Sequence, residues 1–243
     1  MNGHDFIKHS GQSGLPTGKQ QGAPQPPVEM PWDESARVIA LPDAASLPPA
    51  PVDMLKTVNT RRSIRTFSPE PLLLRDLSFL LWCTQGVQKC VANEKTVRTV
   101  PSAGGAHAFE TLVLANNVDG VTPGLYRFIA SKHQLAAVTT DTARIDAIVE
   151  AFRNIHLIEN SAAVFIWLAV TERMTWRFGA RGWRYLFLDA GHICQNLYLA
   201  AESICCGACA IGSFDDAALN AALGLDGEHE IALYAGAVGR KAG

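Results

Sequence analysis

Residues Arg61, Arg62, Ser63, Ile64 and Arg65 put three guanidinium groups and a hydroxyl into five consecutive positions. A guanidinium grips two phosphate oxygens at once through its planar fork, so the string suits a phosphate monoester; a solvated basic loop is the plainer alternative. A second basic string, Gly239-Arg240-Lys241, follows the last predicted strand, and the two could meet on one phosphate. Pro101-Ser102-Ala103-Gly104-Gly105 has small residues that let backbone approach a flat ligand closely, with Ser102 as donor and acceptor. In isolation that string is an ordinary turn. Ile211-Gly212-Ser213-Phe214 offers backbone N–H groups after a short apolar run, and is equally weak alone.

Other chemistries lose their usual signals. The chain has no GxxxxGK[ST] loop, no GxGxxG after a strand, no GxSxG elbow and no HExxH helix. Six cysteines include the pair Cys206 and Cys209 in a CxxC, but the string leads into an apolar strand. A reactive pair favours a helix N-terminus, where the thiolate is stabilised. Packing is therefore the reading, with thiol redox as the alternative. His107 reads as a loop side chain, with lining of a ligand pocket as the alternative, and His192 as packing or hydrogen-bonding at a subunit interface rather than a base. Trp176, Phe178 and Trp183 read equally as an aromatic lid or as core, and Asp215 as a helix cap.

The elements that must position these strings are mostly legible. Leucine spacing predicts a helix over 71–84, with Gly86 as its stop. Strands are predicted at 111–115 and 125–128 around a turn at Pro123-Gly124, and an amphipathic helix at 141–153. Ala162–Val170 is apolar throughout and fits a strand covered on both faces. A long helix over 185–203, a strand over 207–211, a helix over 215–223 and a strand over 231–238 complete the series. Nine of the 13 prolines lie at or before Pro51, and Ser10 to Pro31 carries no helix or strand period. We read residues 1–52 as an arm or tail, disordered or reaching a partner subunit, and 53–243 as one α+β domain.

Composition narrows the class. With 21 Lys+Arg against 23 Asp+Glu and only 18% charged residues, no basic nucleic-acid stripe is present. The longest apolar run is nine residues, about half of a membrane span. No secretory leader is visible, so the expected setting is cytoplasmic.

Taken in order, RRSIR, LLWCTQGV, PSAGG, RGWRYLFLDAGHICQNLYLAA and IGSFDD…LGLDGEHE…LYAGAVGR resemble the nitroreductase superfamily, and within it the SagB-type dehydrogenases. The resemblance covers roughly residues 55–241. It implies a central, mostly antiparallel sheet flanked by helices, an intertwined homodimer, and FMN at the subunit interface. It also implies ping-pong hydride transfer with a small organic or peptide-derived substrate, and NAD(P)H as a possible donor. Carried over, Arg61, Arg62 and Ser63, helped by Arg65, would hold phosphate and ribityl chain, with Arg240 and Lys241 completing the phosphate site. Pro101, Ser102, Ala103 and Gly104 would contact the ring in the partner subunit; Ile211, Gly212 and Ser213 would lie along it, and Gln85 is a further ring contact. The azoline-oxidising relatives have a Lys-Tyr pair where this chain has Arg177 and Phe178. A guanidinium holds its proton and phenylalanine has none to give, which argues against azoline oxidation. Arg177 and Tyr185 are the catalytic candidates that remain. A flavin-binding protein without turnover is the alternative.

Overall fold

Side chains of the apolar stretch Ala163–Val170 divide by parity between two cores. Ala163, Phe165, Trp167 and Ala169 enter one; Val164, Ile166 and Leu168 enter the other. A computed structural model describes residues 2–11, 15–43, 52–91 and 95–242. In chain order the elements are α1 (Gly3–His9), β1 (Val38–Ala40), α2 (Met54–Thr60), α3 (Leu74–Gln85), β2 (Val87–Val91), β3 (Lys95–Arg98), β4 (Phe109–Ala115), β5 (Gly124–Ile129), β6 (Gln134–Thr139), α4 (Thr142–Glu150), α5 (Ile155–Glu159), β7 (Ala163–Val170), α6 (Thr171–Phe178), α7 (Gly182–Ser203), β8 (Cys206–Ile211), α8 (Asp216–Leu223) and β9 (Glu230–Arg240). Seven strands form one sheet in the order β1-β6-β5-β4-β7-β9-β8, every neighbouring pair antiparallel. β2 and β3 form a separate hairpin.

Helices α3 and α7 cover one face through Leu77, Leu80 and Leu81, and through Leu186, Ala190, Ile193 and Leu197. Helices α4, α5 and α8 cover the other through Ile148, Leu157, Ile158, Leu219 and Leu223. The result is the α+β layering expected from the sequence. Boundaries differ where local bonding overrides periodicity. Helix α3 starts at Leu74 because Leu72 is drawn into a bridge with Val118. Helix α4 stops at Glu150, since Phe152 leaves to bridge Phe214. Strand β9 continues past residue 238 because Gly239 and Arg240 pair with Gly207 and Cys206. No described helix is long and apolar enough to cross a membrane.

The described part of the proline-rich segment lies on its own domain and not as a free tail. Val38–Ala40 pairs with β6 as the outermost strand. Residues Lys19 to Pro31 run over α6, β4 and β5, held by backbone groups. Lys19 N donates to the Trp176 carbonyl at 2.9 Å, and the Trp176 indole donates to the Ala23 carbonyl at 2.9 Å. A buried ionic network anchors the rest. Glu110 is only 4% exposed and meets Arg173 at 2.6 Å and Arg127 at 3.2 Å. The Met30 amide donates to the same carboxylate at 2.9 Å. In return Arg173 donates to the Pro27 carbonyl, Arg127 to those of Met30 and Pro31, and buried Arg98 to that of Val28. Proline and extended residues are apt here, because their backbone carbonyls are not engaged in a ladder.

Burial pushes the Glu110 carboxyl upward, but Arg173, Arg127, Arg98 and the Met30 amide outweigh it and hold it below its ordinary range. Its ionised form thus adds stability above the unfolded-state value, and that stability is lost as pH falls through the lower folded value. Glu110→Ala is expected to cost roughly 3–5 kcal/mol, because it leaves buried arginines uncompensated. Denaturant titration from pH 7 down to pH 3 should show the variant less stable at neutral pH and its deficit shrinking in acid. An equal deficit at every pH would overturn this assignment.

Candidate functional site

Two segments far apart in sequence meet at the open edge of β8. Ser63 forms a parallel bridge with Ala208, and Ile64 N donates to the Ala208 carbonyl at 3.0 Å. Farther on, Phe67 bridges Lys241 and Ser68 N donates to the Arg240 carbonyl at 2.9 Å. The crossing is possible because its floor is made of two cross-strand glycines, Gly207 and Gly239. A Cβ at Gly207 would stand 2.6 Å from Ile64 Cβ, and one at Gly239 would stand 2.9 Å from the Phe67 ring. Both basic strings therefore come to one end of the sheet.

Tyr198 on α7 ties this end together. Its hydroxyl lies 3.0 Å from Ser63 Oγ and accepts from Ala210 N at 2.8 Å. Arg61 stacks over the same ring at 5.1 Å. Arg62 is exposed and donates to the Asn59 and Arg61 carbonyls, while Arg65 is exposed beside it. Arg61, Arg62 and Arg65 make no ion pair among the described residues. The other two cations are paired: Lys241 with Glu202 at 2.8 Å, and Arg240 with Glu70 at 3.1 Å. Burial raises the Glu202 carboxyl, but hydrogen bonds from Lys241 and Thr60 win and lower it. A groove of about 630 Å³ between α2 and the end of β9 is lined by Lys56, Arg240 and Lys241 and equally by Asp53, Glu70 and Glu202. At the far end of β8, Ile211 is buried whereas Gly212 and Ser213 are exposed.

A second group forms around the other half of α7. Asp189, 2% exposed, accepts from Ser102 Oγ at 2.6 Å and from Ala103 N at 3.1 Å. Ser102 Oγ also accepts from His107 N at 2.9 Å. Pro101 is exposed, and Gly104 has a φ of 57°. A Cβ at Gly104 would stand 2.8 Å from the Phe178 ring and 2.9 Å from Arg177 Nε, so the loop touches both residues. Phe178 packs edge-on against Tyr185 at 4.8 Å. Arg177 and Tyr185 thus join Pro101–Gly104 and stand apart from Arg61–Arg65. Asp189 precedes Tyr198 by nine residues, about 13 Å along the helix axis.

Gln85 lies at the base of this second group. It is 1% exposed; its Oε1 accepts from Arg98 at 3.0 Å, and its Nε2 donor has no partner among the described residues. Burial, followed by Arg98 and Arg173, pushes the His107 imidazole down to about 4. His107 is therefore neutral and buried, not a loop side chain in solvent. His192 is exposed on this chain, 4.0 Å from Asp189. Trp176 is bound to the arm, Trp183 is 36% exposed, and Phe178 alone of the three packs against the core. Asp215 caps α8 through Ala218 N. The CxxC does not form a dithiol site: Cys206 and Cys209 enter opposite cores, and burial pushes the Cys206 thiol up to about 12.

Sequence reasoning missed Tyr198, Glu202 and Asp189. Asp189 leaves the clearest trace, as a carboxylate amid the apolar run of α7. Tyr198 and Glu202 resemble any other helix residues until their partners are placed.

A sequence profile of the nitroreductase family matches residues 58–240. A nitroreductase-family protein of Methanocaldococcus jannaschii is 35% identical over 64% of this chain and 76% of its own length. A nitroreductase-like structure from Anabaena variabilis superposes with a TM-score of 0.71 at 26% identity, over 86% of this chain. This chain spans only 42% of that one. One from Desulfovibrio desulfuricans, in complex with FMN, gives 0.56 at 20% identity, over 79% and 88% of the two chains. The Escherichia coli microcin synthetase complex gives 0.64 at 16%, over 98% and 87%.

The neutral His107 adds stability that is complete above its ordinary value of 6.5 and is lost as pH falls from there toward 4. Asparagine tolerates the positive φ of 45° at this position. His107→Asn should therefore flatten the stability-against-pH curve between 4 and 6.5. An unchanged slope in denaturant titrations would contradict a buried neutral imidazole.

Proposed function

Because the chain belongs to the nitroreductase family of oxidoreductases, we propose that it is an FMN-dependent enzyme working as a homodimer. The observation that carries this is the convergence of Arg61–Arg65 with Arg240-Lys241 over the Gly207–Gly239 floor. The residues present fit FMN. Three guanidiniums free of ion pairs among the described residues suit its phosphate, and the orphaned Gln85 Nε2 is a donor for a ring acceptor. The Desulfovibrio relative, which shares the fold, is in complex with FMN.

When bound, FMN supplies two-electron transfer, and the protein supplies position and electrostatics. Arg61, Arg62 and Arg65 would neutralise the phosphate, with Arg240 and Lys241 released from Glu70 and Glu202 to complete the shell. Ser63 and Tyr198 orient the segment that meets the ribityl chain. Ile211, Gly212 and Ser213 would lie along the ring. The Pro101–Gly104 loop, fixed by Asp189, would meet the ring of the partner's cofactor. That division between subunits accounts for the 13 Å between the two groups on one helix. An apolar surface suits the dimer: Leu188 is 58% exposed on α7, and Met54 and Leu55 are 58% and 71% exposed on α2.

We place the chain nearest the SagB-type branch and read its substrate as a small organic or peptide-derived molecule, with NAD(P)H as donor, in a cytoplasmic setting. Arg177 and Phe178 stand where azoline oxidation calls for an acid–base pair. Arg177 lies against Gly104 and 5.9 Å from the Phe178 ring, so it can hold charge beside the loop but cannot take a proton. The same observation favours a second reading, flavin binding without turnover. Stopped-flow mixing with NAD(P)H separates the two, since a silent binder reduces no faster than free FMN.

Purified protein should be yellow or take up FMN stoichiometrically; a colourless protein that takes up none overturns the proposal. Gly207→Val should displace Ile64 and weaken FMN binding by at least about tenfold, or ~1.4 kcal/mol, measured by flavin fluorescence. Leu188→Glu should shift sedimentation from dimer to monomer and lower bound flavin together. A monomeric wild-type protein with full flavin occupancy would refute the shared site.

A further inference from the structure

A cavity of about 230 Å³ lies between the arm, β3, α6 and the end of the 101–106 loop. Its wall carries Lys19 from the arm, Lys95 from β3, and Arg173 and Arg177 from α6, with no carboxylate among the lining residues. Glu110 engages Arg173 at 2.6 Å. Lys19, Lys95 and Arg177 make no ion pair among the described residues. Three cations without an ion pair among the described residues thus face one space in a chain whose net charge is −2. Like charges gathered around one concave space repel, and such a space concentrates counter-charge.

We propose that this cavity binds an oxyanion carried by the substrate or the electron donor, with Lys19 and Lys95 as its specificity-determining residues. The placement rests on the cofactor reading above, because Gly105, Ala106 and Arg177 line the cavity while Gly104 lies against Arg177. An anion held here puts the attached molecule beside the loop that would border the ring. The arm is what builds the pocket. Lys19 is positioned by its own amide on the Trp176 carbonyl, and the chain that follows is held through Ala23, Pro27 and Val28. The shared chemistry is a carboxylate or a phosphate. Lysine and arginine bind either, and the cavity is small enough to take only the charged end of a larger molecule.

The test uses the full chain and two probes alike in shape but different in charge, 4-nitrobenzoate and 4-nitrobenzamide, titrated by calorimetry. The expected result is 4-nitrobenzoate binding about tenfold tighter, or ~1.4 kcal/mol. That preference should collapse in Lys19→Ala/Lys95→Ala and at about 0.5 M NaCl, where screening is strong. Melting temperature and flavin content control for folding. Equal binding of both probes, binding of neither, or a preference that survives the double variant overturns the proposal. Displacement of 4-nitrobenzoate by inorganic phosphate, with NADPH bound more tightly than NADH, assigns the anion to the donor's phosphate. Resistance to phosphate assigns it to a substrate carboxylate. A preference for 4-nitrobenzoate in protein that takes up no FMN leaves the pocket standing and removes the cofactor reading instead.

Discussion

The carboxylate of Glu110 is the charge on which several parts of the molecule depend. It is almost completely buried, and an unpaired charge there would be prohibitive. Two arginines in ion pairs and the Met30 amide compensate it. Those arginines are themselves buried and must spend their remaining donors on something. They spend them on the carbonyls of Pro27, Met30 and Pro31, which belong to a segment that could not hold a place by its own secondary structure. Arg98 extends the arrangement to Gln85 and the β2–β3 hairpin. One acid thereby fixes the arm, the end of α3 and the start of α6, three parts of the wall around the 101–106 loop.

Helix α7 plays the complementary role for the site. Its inner face packs on the sheet, while polar residues at two levels hold two different loops. Asp189 grips Ser102 and Ala103; Tyr198 grips Ser63 and Ala210. Because a helix is stiff, the spacing of those residues sets the spacing of the loops. The two groups stand apart along one helix, and apolar residues are left exposed on α7 and α2.

Charge is distributed unevenly around these groups. At the β8–β9 end of the sheet, Glu202 and Glu70 occupy Lys241 and Arg240, and the arginines of the 61–65 segment make no ion pair among the described residues. At the arm, Glu110 is spent on Arg173 and Arg127, and Lys19, Lys95 and Arg177 face a cavity with no carboxylate among its described lining residues. A near-zero net charge thus conceals two local clusters of cations, one at each of these places.

The sequence by itself determined the layering and the order of the main elements. Periodicity is a local property: Ala162–Val170 fits a strand buried on both faces, and the leucine spacing of 71–84 fits a helix seated on a core. It also identified the strings RRSIR and PSAGG, because arginine clusters and small-residue turns are visible without partners. What tertiary structure decided was adjacency. Whether Arg240 meets Arg61 depends on Gly207 and Gly239 lying opposite each other across a ladder, which no local pattern states. The CxxC falls apart because successive strand residues alternate faces, so Cys206 and Cys209 look into different cores. The arm was illegible for the same reason. Its residues have no period, and they are held by side chains 70 or more positions away, such as Arg98 on Val28 and Arg173 on Pro27. Buried charge must find its partner in space, and sequence order does not say where that partner stands.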